Sequence, residues 1–441
     1  MPIRRARLSA TVAGIAVVAT AGTVQAAGFQ IRETSGSQLG TAFAGMNSDP
    51  RGLSIIFNNP AGMTTLDRSG VEAVGSLIWP RSEFSGIATD ALGRPIQGSN
   101  DRLNDPILVP AAYALYVPQG SPLRLGFSLT APYGLATDYA DGWIGRYNAL
   151  HSSLETINLN VSVATEVTDG LSLAFGVSAQ RAKAELTNAV DFGALLAGLR
   201  VPGFLPQSAD GKGEVEGTDW GWGWNAGLLY EPLPGTRIGL TIRSEIDHEL
   251  EGEGTFAVPA NVRSVLTAAG VRAFQPESDA TAALTTPMTV EGSVSHDLGR
   301  IGLHATAAWT DWSTFEEIRI RYANPAQPDT VDEQFYQDTW FLALGATYDQ
   351  SDTLSLRAGV AHDGRASQAE FRTPRIPDEE RTWLAVGATW TPMPNLELDA
   401  GWAHIFVADA AVDVTTTLGN RIAGTFESEV DVFSVAARWR F

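Results

Sequence analysis

Apolar and polar residues alternate in short runs along most of this chain. Leu123, Leu125, Phe127 and Leu129 alternate with Arg124, Gly126, Ser128 and Thr130. Ile157, Leu159, Val161 and Val163 alternate with Asn158, Asn160 and Ser162. Leu171, Leu173, Phe175 and Val177 alternate with Ser172, Ala174, Gly176 and Ser178. Trp220, Trp222, Trp224, Ala226, Leu228 and Tyr230 alternate with glycines and Asn225. A period of two predicts strands with one apolar face. Further runs begin near Val71, Leu108, Ile238, Met288, Ile301, Trp340, Leu354, Leu384 and Leu396, and the last ends at Phe441, fourteen in all.

The connections between runs are of two kinds, and they alternate. Six are short and rich in turn residues: Pro118 to Pro122, Glu166 to Gly170, Glu231 to Arg237, Asp297 to Arg300, Asp349 to Thr353 and Thr391 to Asn395. Seven are long, roughly 80–107, 132–153, 186–218, 247–286, 313–338, 362–381 and 405–428. One end of the sheet therefore carries tight turns and the other large loops, as in outer-membrane barrels. Phe315 to Tyr322 is read as an extension of the ninth strand, because an odd count would break the alternation. The predicted fold is all-β: a 14-stranded antiparallel transmembrane β-barrel. Phe433, Val435, Ala437, Trp439 and Phe441 share one face of the last strand, with Ser434, Arg438 and Arg440 on the other. Aromatics suit a wall that meets lipid. A terminal aromatic strand ending on Phe441 is also the expected handle for the barrel-assembly machinery.

Composition changes this picture little. Mean hydropathy is −0.03, which would read as soluble, but alternation averages the barrel signal away. Arg4, Arg5 and Arg7 precede an apolar run from Leu8 to about Gly22 and the small-residue site Val24-Gln25-Ala26. That predicts a secretory signal peptide over residues 1–26. No later stretch reaches the length of a membrane helix. The chain has no Cys, so an exported fold must rest on burial and strand pairing. Removing the three signal-peptide arginines takes the net charge from −20 to −23. Such a balance argues against nucleic acid and against polybasic binding to a membrane surface. Basic residues are nearly all Arg, with Lys183 and Lys212 the exceptions. Arg suits lipopolysaccharide phosphates, although genome composition explains the bias equally well.

Residues 27–68 precede the first run and do not alternate. They are Gly-rich and carry Phe29, Ile31, Leu39, Phe43, Ile55, Ile56 and Phe57. Fourteen strands enclose a wide lumen that small polar side chains cannot fill, so this segment is expected to plug it, with the barrel over 69–441. A flexible periplasmic tail is the other reading of the same segment.

Several motifs stand in order along the chain: Ala27-Gly28-Phe29-Gln30, Asn59-Pro60-Ala61, Pro132-Tyr133-Gly134-Leu135-Ala136-Thr137 and Trp220 through Gly227. Trp309 through Ser313, Ile376-Pro377-Asp378 and Arg381-Thr382-Trp383-Leu384 follow in register. Together they resemble the FadL-type outer-membrane transporters of long-chain fatty acids. The resemblance implies a 14-strand barrel with an N-terminal hatch, in which Asn59, Pro60 and Ala61 belong to the hatch. It implies passive uptake of hydrophobic molecules, fatty acids or aromatic hydrocarbons. Ligand would pass from an outer loop groove to an inner pocket near Phe29 and leave sideways at a kink in the third strand, onto which Gly134 aligns. Glycine there would ease an unusual backbone course, and Pro132 removes a ladder donor.

Two loop segments carry apolar helical faces. Phe192, Leu195, Leu196 and Leu199 are spaced i, i+3, i+4, i+7, followed by Phe204 and Leu205. Val262, Val265, Leu266 and Ala269 repeat the spacing. They form either the outer groove that the resemblance implies or a simple mutual packing. The family pair of carboxylate-binding cations falls on Leu186 and Gln337, which cannot serve. Arg181 is the nearest candidate, with Lys183, but it should share a face with Phe175 and Val177.

Other classes fare worse. The six histidines, His151, His248, His296, His304, His362 and His404, fall in no nucleophile elbow or metal-spaced pair, against an outer-membrane lipase. No cofactor or metal is expected. Glu249, Glu251 and Glu253 suit Ca²⁺ less well than a solvated loop. An open porin would not need a plug.

Overall fold

The computed structural model describes residues 28–441; the expected signal peptide lies outside the described residues. The sheet closes as a 14-strand antiparallel barrel. Its first seven strands are β1 (Gly70–Thr89), β2 (Ile107–Tyr116), β3 (Leu123–Thr130, resuming Gly134–Asp138), β4 (His151–Thr168), β5 (Leu171–Asp191), β6 (Asp210–Leu233) and β7 (Thr236–Arg243, resuming Ile246–Ala257). The rest are β8 (Glu277–Thr286, resuming Thr289–Leu298), β9 (Ile301–Thr310, resuming Glu317–Tyr322), β10 (Thr339–Ser351), β11 (Leu354–Asp363), β12 (Arg381–Met393), β13 (Leu396–Val407) and β14 (Arg421–Arg440). β1 pairs with β14 from Gly70↔Arg440 to Thr89↔Arg421 and shuts the seam. A lipid solvent demands this, since it offers backbone groups no partner.

Side chains follow the period of two. In β14, Phe433, Val435 and Trp439 are exposed, while Ser434 and Arg438 point inward and are buried. Exposed Trp79, Trp220, Trp222, Trp340 and Trp402 mark the loop side of the apolar belt. Exposed Tyr116, Tyr230, Tyr348, Trp390 and Trp439 mark the turn side, giving the two girdles of a membrane barrel. The short connections tighten to two residues at five of six sites. Gly170, Gly235 and Gly299 adopt positive φ there, as hairpin turns require.

The long loops are shorter than the pattern predicts. Stretches expected over 186–218 and 247–286 shrink to 192–209 and 258–276, because β5 to β8 continue past the membrane. Their outer faces there meet water, so hydrophobic alternation ends while backbone pairing persists. Glu249, Glu251 and Glu253 thus form the exposed face of β7 and are not a loop. Glu317–Tyr322 pairs with the upper part of β8 (Ala280↔Tyr322), so it extends the ninth strand as expected.

Residues 28–63 are almost all buried against the inner wall, and the chain emerges toward Ser69. The segment folds into α1 (Gly36–Leu39), α2 (Ile55–Asn58) and a 3-10 turn, Pro60–Thr65. Phe29, Ile31, Leu39, Phe43, Ile55 and Ile56 are all buried, with Leu39 and Phe43 in one cluster with Ile78, Phe341, Trp383 and Val430 of the wall. The wall admits this segment through glycines. A Cβ on Gly239 would lie 2.0 Å from the Asn47 carbonyl oxygen, and one on Gly359 2.1 Å from Thr41. Gly387 faces Gly40 at 2.8 Å in the same sense.

Candidate functional site

The lateral wall is interrupted at β3, between its two segments. Pairing of β2 with β3 stops at Ala112↔Leu129, leaving Ile107 to Ala111 without a β3 partner. The cause is local: Pro132 has no N–H to give to a ladder. Across this break the hatch arm substitutes for the missing strand. Ile31 N donates to Pro132 O at 2.8 Å, and Gly134 N donates to Phe29 O at 2.8 Å. On the other side Tyr133 N donates to Thr156 Oγ1 at 3.0 Å, and that hydroxyl donates back to Tyr133 O at 2.6 Å. Gly134 has an ordinary backbone angle, so its role differs from the expected one. A Cβ there would sit 2.7 Å from Ile31 Cδ1; the glycine makes room for the arm. Because the chain has no Cys, a single Ile31→Cys reports on this contact. Gly134→Val is expected to turn that thiol from unreactive to reactive toward a maleimide. Continued protection would show that the arm tolerates a side chain at 134.

Behind the break lies an apolar chamber filled by its own packed side chains. Phe29 stands 4.6 Å from Trp312, 5.2 Å from Phe315 and 6.0 Å from Tyr133, ring centre to ring centre. Leu250, Leu284 and Tyr336 complete the cluster. The edge-on arrangement is the favoured one for aromatic pairs. The fold therefore unites Phe29 and Gly134, two of the predicted residues. Asn59 sits elsewhere: it donates to Asn47 O at 2.8 Å and to Leu228 O at 2.9 Å. Asn59-Pro60-Ala61 hence ties the hatch to β6, remote from the break.

A second lid comes from outside. The loop 364–380, within the long connection expected over 362–381, turns inward, and Arg372 through Glu379 are buried. The Asp378 carboxylate accepts from Ala366 N at 2.8 Å and Ser367 N at 3.0 Å, and pairs with Arg381 at 2.6 Å. Arg372 pairs with Glu379 at 2.6 Å. Arg375 reaches the opposite wall and donates to Ser152 Oγ at 3.0 Å, while Tyr139 donates to Pro374 O at 2.8 Å. Burial pushes the neighbouring Asp332 carboxyl up to about 6, against the pull of Arg375. Ile376 from this loop joins the chamber of Phe29. Sequence reasoning missed the lid because arginines and carboxylates in a loop read as solvent-facing.

Outside the membrane, α3 (Phe192–Gly198) and α4 (Ala260–Ala268) lie together. Asp191 caps α3 by accepting from Ala194 N at 2.8 Å. Phe192, Leu196, Val262 and Leu266 are fully enclosed between the helices, with Leu195, Phe204 and Val265 half-buried around them. Leu199 and Leu205 remain 53% and 55% exposed. Most of the two predicted faces thus cover each other, and the open apolar rim belongs to Leu199 and Leu205. Arg181 lies on the outward face, paired in register with Trp220 and Ile157, so it is separated from the chamber.

A family described as "Outer membrane protein transport protein (OMPP1/FadL/TodX)" matches residues 16–441. A 47 kDa outer membrane protein of Pasteurella multocida is 32% identical over 388 residues, covering 86% of this chain and 87% of that protein. A long-chain fatty acid transport protein of Salmonella typhi is 30% identical over 389 residues, covering 85% and 86%. The crystal structure of a Pseudomonas aeruginosa FadL homologue superposes with a TM-score of 0.87 at 26% identity, covering 94% of this chain and 100% of that one. Barrel, plugged lumen and relatives agree, and this chain is an outer-membrane member of the OMPP1/FadL/TodX transport protein family.

Proposed function

We propose that this barrel is a passive uptake channel for hydrophobic molecules, long-chain fatty acids first among them. The relatives' name supports the ligand class. The observation that carries the route is the hatch arm, whose backbone fills the break in β3 while Phe29 projects into the apolar chamber. Each buried CH₂ contributes about 0.8 kcal/mol, so an apolar chamber holds a long acyl chain far better than water does. Ligand meets the Leu199 and Leu205 rim, enters the chamber, and leaves sideways between β2 and β3 once the arm withdraws. No step needs an energy source.

Mass spectrometry of lipids and hydrocarbons co-purifying with the detergent-extracted protein tests the ligand class. Fatty acids at stoichiometric levels are expected, and their absence beside bound phospholipid alone would refute the reading. Leu199→Asp with Leu205→Asp tests the outer rim without entering the helix interface. Losing two exposed apolar contacts should slow fatty-acid uptake by intact cells about tenfold, with unchanged protein in the membrane. Leu196→Asp is unsuited to this purpose, since Leu196 is fully buried and its loss would unpack α3 from α4.

A neutral hydrocarbon is the second reading. It is favoured by Leu186 and Gln337, which stand where the resemblance expects the carboxylate-binding cations.

A further inference from the structure

The lumen holds a small cavity bordering the apolar chamber. It has a volume of about 30 Å³ and lies between the hatch arm (Gln30 to Arg32), the break (Pro132, Tyr133) and the inner faces of β7 and β8 (Arg243, Glu291). Its charges do not balance. Arg32 pairs with Glu291 Oε1 at 3.3 Å, and Glu291 Oε2 accepts from Asn47 Nδ2 at 3.3 Å. Both oxygens of the one carboxylate are therefore engaged. Arg243 has no carboxylate within 4 Å among the described residues. Its guanidinium lies 3.9 Å over the Phe57 ring and donates to Phe57 O at 2.7 Å. One such bond uses little of a group with five N–H donors. Arg243 lines the cavity.

We infer that this cavity is a carboxylate-binding station, with Arg243 as its anchor, on the path between chamber and membrane. The inference rests on the uptake reading and narrows its ligand to hydrophobic acids. Enclosing a cation without a partner is costly, and an arriving anion returns that cost. One water-sized atom needs about 10–15 Å³ of such space, so a small anionic head such as a carboxylate fits. Position selects the rest of the molecule. Ile31, Met46 and Pro132 share the cavity wall, so an apolar tail can stay in contact with apolar side chains while its head meets Arg243. A carboxylate held here has left the chamber and reached the break.

The full-length mature protein in detergent, with tritiated oleate and tritiated methyl oleate as probes, tests this. Arg243→Met keeps the side-chain length and the Phe57 contact while removing the charge. It is expected to weaken oleate binding by at least about tenfold, the loss of a charged hydrogen bond, and to leave methyl oleate unchanged. Arg243→Lys should retain most of the oleate affinity, and heat-modifiable gel mobility verifies that each variant is a folded barrel. Unchanged oleate binding by Arg243→Met overturns the assignment. Equal loss of both probes also overturns it, since Arg243 would then serve structure alone. Wild-type protein that binds neither probe overturns the uptake reading itself, and the station with it.

Discussion

Deleting residues 36–65 should turn a closed barrel into a steady pore. The wall cannot compensate for that segment. At the hatch contacts it presents Gly239, Gly359 and Gly387, which contribute no side chain to the lumen. Barrels of this width leave an aqueous channel unless something fills them. The loop 364–380 covers only the outer part, where it contacts β3, β4 and β5. In planar bilayers the deletion variant should show a large, constant conductance, against a closed trace for the intact protein. Cells carrying it should admit hydrophilic antibiotics otherwise excluded. A closed trace from a correctly inserted deletion variant would mean that the hatch is not what seals the lumen.

Replacing Arg438 should be the most damaging single change. This residue faces inward from β14 and is 1% exposed. It pairs with Glu397 at 2.5 Å, Asp399 at 3.5 Å and Glu72 at 3.7 Å, and donates to the Arg51 carbonyl of the hatch. Glu72 in turn accepts from Leu53 N at 2.7 Å. One guanidinium thus joins both seam strands, β13 and the hatch. Arg438→Met would leave the buried Glu72 without its cation, while Glu397 keeps Arg440 at 2.8 Å and Asp399 keeps Arg357 at 3.8 Å. Breaking a buried pair by removing one partner costs about 3–5 kcal/mol, and the expectation here lies at the upper end. Urea unfolding in micelles measures it. Adding Glu72→Gln should restore part of the loss, because the two sites are coupled. An unfolding midpoint equal to the parent's would show that the cluster contributes nothing to the seam.

The apolar belt was legible in the sequence because lipid enforces it. Phe433, Val435 and Trp439 must meet hydrocarbon, and Ser434 and Arg438 must not, so the period survives in the residues themselves. The strand count followed from turns such as Gly170 and Gly299, whose backbone angle leaves a compositional mark. Legibility failed where water replaced lipid. Nothing in Glu249, Glu251 and Glu253 announces a strand of the wall, since its outward face here meets water, while Leu250 faces inward. It failed again for Arg372, Arg375 and Asp378, whose mutual pairing permits burial that their separate characters deny. The chamber was half visible: Phe29, Gly134 and Trp312 lie in the ordered motifs, whereas Leu250, Leu284 and Tyr336 lie in none and converge with them only in three dimensions. Arg243 gave no signal, because a lone arginine at a strand end looks like any other.

The glycines of the wall carry a consequence for how this protein can change over generations. Where Gly387 meets Gly40 with no room for a methyl group between them, neither partner can enlarge unless the other's backbone retreats. Mould and casting must therefore vary together. A hatch grafted from a cousin should jam or rattle, even inside a barrel whose lipid-facing surface is identical.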